Sequence, residues 1–261
     1  MQPTQIIFGF LVAILIASAC LSVRLLTRRG ALAAAAVGGL VFGFAGWSGA
    51  AALLLFFATS NLIGRWRKSR KARMGFEKGG RRDAGQVLAN GAAAAALAVL
   101  AALLPAHAAP LTAAFLAALA AANADTWATE AGAAIGARPR LITTLRPVAV
   151  GRSGAVSAAG TLAAALGALA IALTAPLFAA LPQERWIALV AVCGLAGSLI
   201  DSLLGATLQA QYAAADGSLT ERRTGRRPAV QGIAGFGNDA VNFCATVAAA
   251  LLALALAGIA R

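Results

Sequence analysis

Apolar runs that approach or exceed 18 residues, with few or no charges, recur along the whole chain; the stretch from Gly154 to Leu181 contains no charged residue. A run of that length is long enough to cross the hydrocarbon of a bilayer as a helix, which satisfies its own backbone hydrogen bonds there. With 60% hydrophobic and 12% charged residues and a mean hydropathy of +0.80, the 261 residues hold more apolar surface than a soluble core needs. The expected fold class is all-α, a polytopic transmembrane helical bundle. No polar linker divides the chain, so residues 1–261 read as a single integral membrane domain.

Hydropathy places candidate spans at about 5–23, 31–46, 48–64, 86–104, 111–136, 154–181, 186–209 and 232–259. This gives eight crossings if Gly46-Trp47-Ser48-Gly49 is a tight turn, and seven if it is a kink. Of the 22 Lys and Arg residues, 20 fall in four alternate loops: Arg24 to Arg29, Arg65 to Arg82, Arg138 to Arg152 and Arg222 to Arg227. The positive-inside rule then puts loops 65–85, 137–153 and 210–231 in the cytoplasm and the N-terminus outside, as in a protein of the cell's inner or plasma membrane. The basic run Arg65 to Arg73 reads as this topology signal and as a surface attracting anionic headgroups, so no nucleic-acid partner is expected. Cys20, Cys193 and Cys244 lack ligand spacing and read as packing residues, and His107 reads as a solvated loop residue.

Four of the nine acidic residues, Asp125, Glu130, Asp201 and Asp239, lie inside the apolar runs. A carboxylate at membrane depth is expensive and marks a functional site by default. With the topology above, all four fall toward the cytoplasmic leaflet. Asn123, Thr126 and Thr129 accompany the first two, Ser202 the third, and Asn238 and Asn242 the last. Such oxygen donors suit a hard divalent cation, and Mg²⁺ is usually held by one or two carboxylates plus substrate phosphates and water. Asp125 and Asp239 are the first expected metal ligands, with Glu130 and Asp201 as further ligands or their support. Trp127, within the same motif, could stack on a nucleotide base.

The loop that follows carries Arg138, Arg140, Thr143, Thr144 and Arg146, then Gly151-Arg152-Ser153-Gly154 ahead of a helix. A glycine turn feeding a helix N-terminus presents N–H groups to an anion, so this loop reads as a phosphate cradle. Lys78, Gln86 and Asn90 sit at another cytoplasmic entrance; Gln86 and Asn90 share a helix face and could bind phosphate or hydrogen-bond a neighbouring helix.

Taken in order, Lys78 to Gly91, Asn123 to Gly132, Leu141 to Thr144 with Gly151 to Ser157, Gly197 to Gln209, and Asn238 to Asn242 resemble the successive motifs of the phytyl-phosphate kinase family of plants and cyanobacteria, which also includes eukaryotic transmembrane protein nineteen. The resemblance covers about residues 30 to 245. It implies transfer of a phosphoryl group from a nucleoside triphosphate, with CTP the expected donor and ATP the alternative, to an isoprenyl monophosphate such as phytyl phosphate, in salvage toward tocopherol and related prenyl lipids. Its expected partners are those two substrates and the bilayer, and a bundle of this kind admits a homodimer. An ion-coupled transporter and a cytidylyltransferase forming a CDP-lipid remain the alternatives, because both use buried carboxylates.

Overall fold

The computed structural model describes residues 3–65, 81–135, 138–181, 184–213, 219–221 and 228–259, and Lys78 lies outside them. Among the described residues, the apolar runs form seven helices long enough to span a bilayer: α1 (Pro3–Ser22), α2 (Arg28–Arg65), α3 (Ala84–Leu103), α4 (Ala108–Ile135), α5 (Ala158–Ala172, continued by a 3-10 turn over Ala175–Leu177), α6 (Arg185–Thr207) and α7 (Asn238–Ile259). Two short antiparallel ladders lie in the connections. One pairs β1 (Arg140–Leu141) with β2 (Ala155–Val156), and the other pairs β3 (Tyr212–Ala213) with β4 (Leu219–Thr220).

Helix α2 folds back on itself. Gly46 takes φ 62° and ψ −154°, a conformation open to a residue without Cβ. Arg82 proves the reversal, because it touches both ends of the helix. Its carbonyl accepts from Thr27 N at 3.0 Å, and its guanidinium lies over the rings of Phe56 and Phe57 at 5.5 and 5.8 Å. Along a straight helix, Gly30 and Phe56 would stand about 39 Å apart. Each arm of α2 is thus roughly 18 residues, about 27 Å, close to the hydrocarbon thickness. The seven helices supply eight crossings, and Gly46 to Gly49 is the turn between two of them.

Helix α4 occupies the centre, packed on α2, α3, α5, α6 and α7. Its buried face is nearly all alanine, from Ala113 to Ala124 with Phe115, Leu116 and Leu119. Lipid offers apolar contacts as good as those between helices, so association depends on close approach by small residues. Gly194 and Gly197 on α6 provide it: a Cβ on Gly197 would stand 2.5 Å from Ala121 Cβ and 2.8 Å from Ala249 Cβ. Segments consecutive in the chain alternate in direction. The basic end of the bundle therefore gathers Arg24, Arg28 and Arg29, Arg81 and Arg82, and the loop holding Arg138 to Arg152, while Pro3 and Ile259 lie at the other end.

Two expected spans begin too early. Residues 154–157 belong to the β2 ladder and the cap of α5, where Ser157 Oγ accepts from Gly160 N at 3.1 Å. Residues 232–237 form turns with Gly232 at φ 78° and Gly235 at φ 88°, and α7 starts only at Asn238. Both segments are apolar enough for hydropathy to merge them with the helix that follows, but their glycines adopt conformations a helix does not use.

Candidate functional site

The close contact of α4 with α6 sets the register of the acidic residues. Gly194 and Gly197 pack against Ala120 and Ala121, and the two helices run in the same direction. Four residues further on, Asp125 and Asp201 meet, with their carboxyl groups close enough to share a hydrogen bond. An ionised carboxylate is acceptor-only, so this bond needs a proton on one partner, or a cation between the two in its place. Asp201 Oδ2 is buried with no hydrogen-bond partner among the described residues. Asn242 Oδ1 is in the same condition. Gly197 packs on Ala245 and Ala249 of α7, which puts Asn242 near the level of Asp201.

The other two acids face elsewhere. Glu130 lies five residues beyond Asp125, about 140° around the helix, and turns toward α2: its Oε1 lies 3.7 Å from a Cβ placed on Gly64. It is electrostatically coupled to Arg82, whose guanidinium burial draws below its usual value while the Glu130 charge opposes the shift. Asp239 sits in the first turn of α7, where its Oδ2 closely contacts the space a Cβ on Gly85 would take. Thus all four acids lie in the basic half; the structure brings Asp125 together with Asp201, while Glu130 lies against α2 and Asp239, expected with Asp125 as a first metal ligand, lies against the start of α3. Among the described residues, no three His, Cys, Asp or Glu side chains form a metal-holding group. The pair still fits Mg²⁺, which needs only one or two carboxylates beside phosphates and water, and the orphaned Asp201 Oδ2 offers a ligating oxygen.

A third carboxylate reaches the pair from a loop. The charge of Glu221 acts on both Asp125 and Asp201, and Glu221 Oε1 accepts a hydrogen bond from Ser153 Oγ. That bond ties the Gly151 to Gly154 turn to Glu221. The turn is shaped by Gly151 at φ 89° and Gly154 at φ 75°, and it rests on the end of α6, since a Cβ on Gly154 would overlap Ala206. Arg152 Nη2 donates to Gln231 Oε1 at 3.1 Å, and Gln231 Nε2 donates to Ala206 O at 2.7 Å.

The rest of the expected phosphate set divides. Arg138, Thr143, Thr144 and Arg146 are exposed on the basic face, and Arg140 Nη1 donates to Leu145 O at 2.7 Å. Asn238 is half-buried at the start of α7. Three polar residues are occupied by packing instead. Asn123, fully buried, donates to Gly167 O at 2.8 Å and accepts from Thr59 and Ser60 at 3.1 and 3.3 Å. Gln86 closes a capping box with Asp83, and Asn90 Nδ2 donates to Gln86 O at 2.8 Å. Trp127 packs on Gly167 of α5 and donates to Thr59 Oγ1 of α2 at 3.4 Å, so it links α4 to both helices. Glu221, Gln209, Gln211 and Gln231 were not legible as site residues, since polar side chains in a polar loop usually face water.

Eight helical crossings among the described residues, with carboxylates and an arginine turn gathered at one end, define an integral membrane protein with its buried charge at one face. The chain belongs to the integral membrane protein DUF92 family, which it matches over residues 11–250. It is 35% identical over 229 residues to Protein PGR of Arabidopsis thaliana, covering 78% of this chain and 79% of that one. An uncharacterized membrane protein of Methanocaldococcus jannaschii is 31% identical over 192 residues, 71% of this chain and 76% of its own. Another, of Synechocystis sp., is 30% identical over 195 residues, 72% and 74% respectively. No solved structure matches the chain.

Proposed function

We propose that this chain is a membrane-embedded kinase that transfers the terminal phosphoryl group of a nucleoside triphosphate, CTP first, to an isoprenyl monophosphate such as phytyl phosphate. The observation that carries this reading is the Asp125–Asp201 pair, with its orphaned oxygen, within the electrostatic reach of Glu221, to which Ser153 of an arginine-bearing glycine turn is hydrogen-bonded. The positive-inside rule turns this end to the cytoplasm, where the nucleotide is dissolved. The prenyl tail stays in hydrocarbon, so the two phosphates meet at the shallow depth of the pair.

An oxygen of the lipid phosphate attacks the γ-phosphorus, the bond from that phosphorus to the bridging β–γ oxygen breaks, and CDP leaves with its electron pair. The attacking phosphate is already anionic near neutral pH, so no strong base is required. Phosphoryl transfer asks chiefly for alignment and charge neutralisation. Asp125 and Asp201 would hold Mg²⁺, which supplies charge stabilisation on the transferring oxygens. Arg152 sits in the turn beside the pair, and Arg138, Arg140 and Arg146 line the approach from water.

The test is direct. Purified protein in detergent, given Mg²⁺, CTP or ATP and phytyl phosphate, is expected to yield phytyl diphosphate and the nucleoside diphosphate by mass spectrometry. Asp125→Asn and Asp201→Asn keep a hydrogen-bonding group and are expected to fold with wild-type melting behaviour but lose at least about 100-fold in turnover. A CMP-linked lipid as product would assign a cytidylyltransferase, and coupled uptake into liposomes without turnover would assign a transporter.

A further inference from the structure

Where α6 ends, the structure buries two amides whose donors are unused. Gln209 and Gln211 are each 2% exposed. Their Nε2 atoms, and the Nε of Arg152, meet no acceptor among the described residues. Buried donors are almost always paired, because an unmade bond costs the full desolvation of the group.

The backbone draws the three residues together. Gln211 exchanges backbone hydrogen bonds with Gln231, at 2.9 and 3.4 Å, and Gln231 is the residue whose side chain bridges Arg152 to Ala206. On the other side, Gln209 Oε1 lies 3.4 Å from a Cβ placed on Gly205, and that same point is 3.0 Å from Gly154 N. Both glutamines thus flank the place where the Gly151 to Gly154 turn rests on α6. Three N–H donors, one on a guanidinium, complement oxyanion oxygens. They lie on or beside the same turn as the Ser153–Glu221 contact, and the charge of Glu221 is felt by Asp125 and Asp201, so donors and carboxylates belong to one end of the bundle.

We propose that Gln209, Gln211 and Arg152 form an oxyanion subsite that binds phosphate oxygens of a phosphorylated substrate, nucleotide or lipid. The subsite rests on the phosphoryl-transfer reading only for the source of that phosphate. Binding is measured on the full chain in detergent micelles, with inorganic pyrophosphate, CTP and phytyl phosphate as separate probes. Gln211→Glu replaces a donor with an acceptor of the same size; Gln209→Met and Gln211→Met remove donors without adding charge, which keeps the test usable if the carboxylate variant does not fold.

Wild-type protein is expected to bind at least one probe, and the variants to lose about tenfold or more in affinity while keeping the ligand-free melting temperature. A loss confined to pyrophosphate and CTP assigns the subsite to the nucleotide; a loss confined to phytyl phosphate assigns it to the lipid. Undiminished binding in every folded variant, or no binding of any probe by wild type, overturns the proposal and leaves the glutamines to structural water. Glutamine-dependent binding without turnover would remove the kinase and retain the subsite.

Discussion

Glycine at position 154 answers to two constraints that can be separated by experiment. Its φ of 75° disfavours any side chain, and a Cβ would also overlap the backbone of Ala206. Gly235 shares the first constraint, with φ 88°, but has nothing within 4 Å of its Cβ position. Gly235→Ala is therefore expected to cost about 1 kcal/mol from backbone strain alone. Gly154→Ala is expected to cost more, roughly 2–4 kcal/mol once overlap is added, and to displace Arg152 and Ser153 from the carboxylates. Melting curves in detergent, read with turnover, distinguish the two; equal melting temperatures would mean that the turn is not seated on α6. At this scale the sequence was informative where chemistry is costly in itself: Asp125 and Asp201 stood out because lipid makes any carboxylate conspicuous. Gln209, Gln211 and Glu221 did not, because their importance arises only when the loop docks on α6.

Among the helices, α6 does the most to build the site, and it does so by lacking side chains. Gly197 lets α6 approach both Ala121 on α4 and Ala249 on α7, one turn before Asp201. Gly197→Leu drives a branched side chain into two neighbours at once, so it is expected to force α6 outward and part Asp201 from Asp125. The expected result is a lower melting temperature together with at least about tenfold lower turnover, since displacement of about 1 Å can cost more than that in rate. A folded variant with normal turnover would show that the pair does not depend on this contact. Helix existence was legible throughout, because hydropathy and the bilayer leave few other choices. Helix beginnings at 158 and 238 were not: apolar glycine-rich turns precede both, and transfer free energy does not distinguish a turn from a helix of the same composition. Sequence gives the shared depth of the four acids more readily than their direction around a helix, and the 140° between Asp125 and Glu130 sends those two to different neighbours.

For the molecule as a whole, the reversal at Gly46 decides the parity of every later segment, and the orientation of the carboxylate face depends on it. Arg82 contacts both ends of α2, so the apex at Trp47, which is 71% exposed, belongs to the same end of the bundle as His107 and the opposite end from Thr143. Only α4 separates His107 from Thr143. By the positive-inside rule, Thr143 is expected on the cytoplasmic side. Single cysteines at these three positions, in a background with Cys20, Cys193 and Cys244 replaced, test both points with a membrane-impermeant maleimide. Trp47→Cys and His107→Cys are expected to react in intact cells, and Thr143→Cys only after the membrane is opened. The reverse pattern would invert the protein and point the carboxylates away from the nucleotide pool. Failure of Trp47→Cys to react from either side, while the other two react as expected, would bury the apex in lipid and make the folded-back α2 a re-entrant hairpin instead of two crossings.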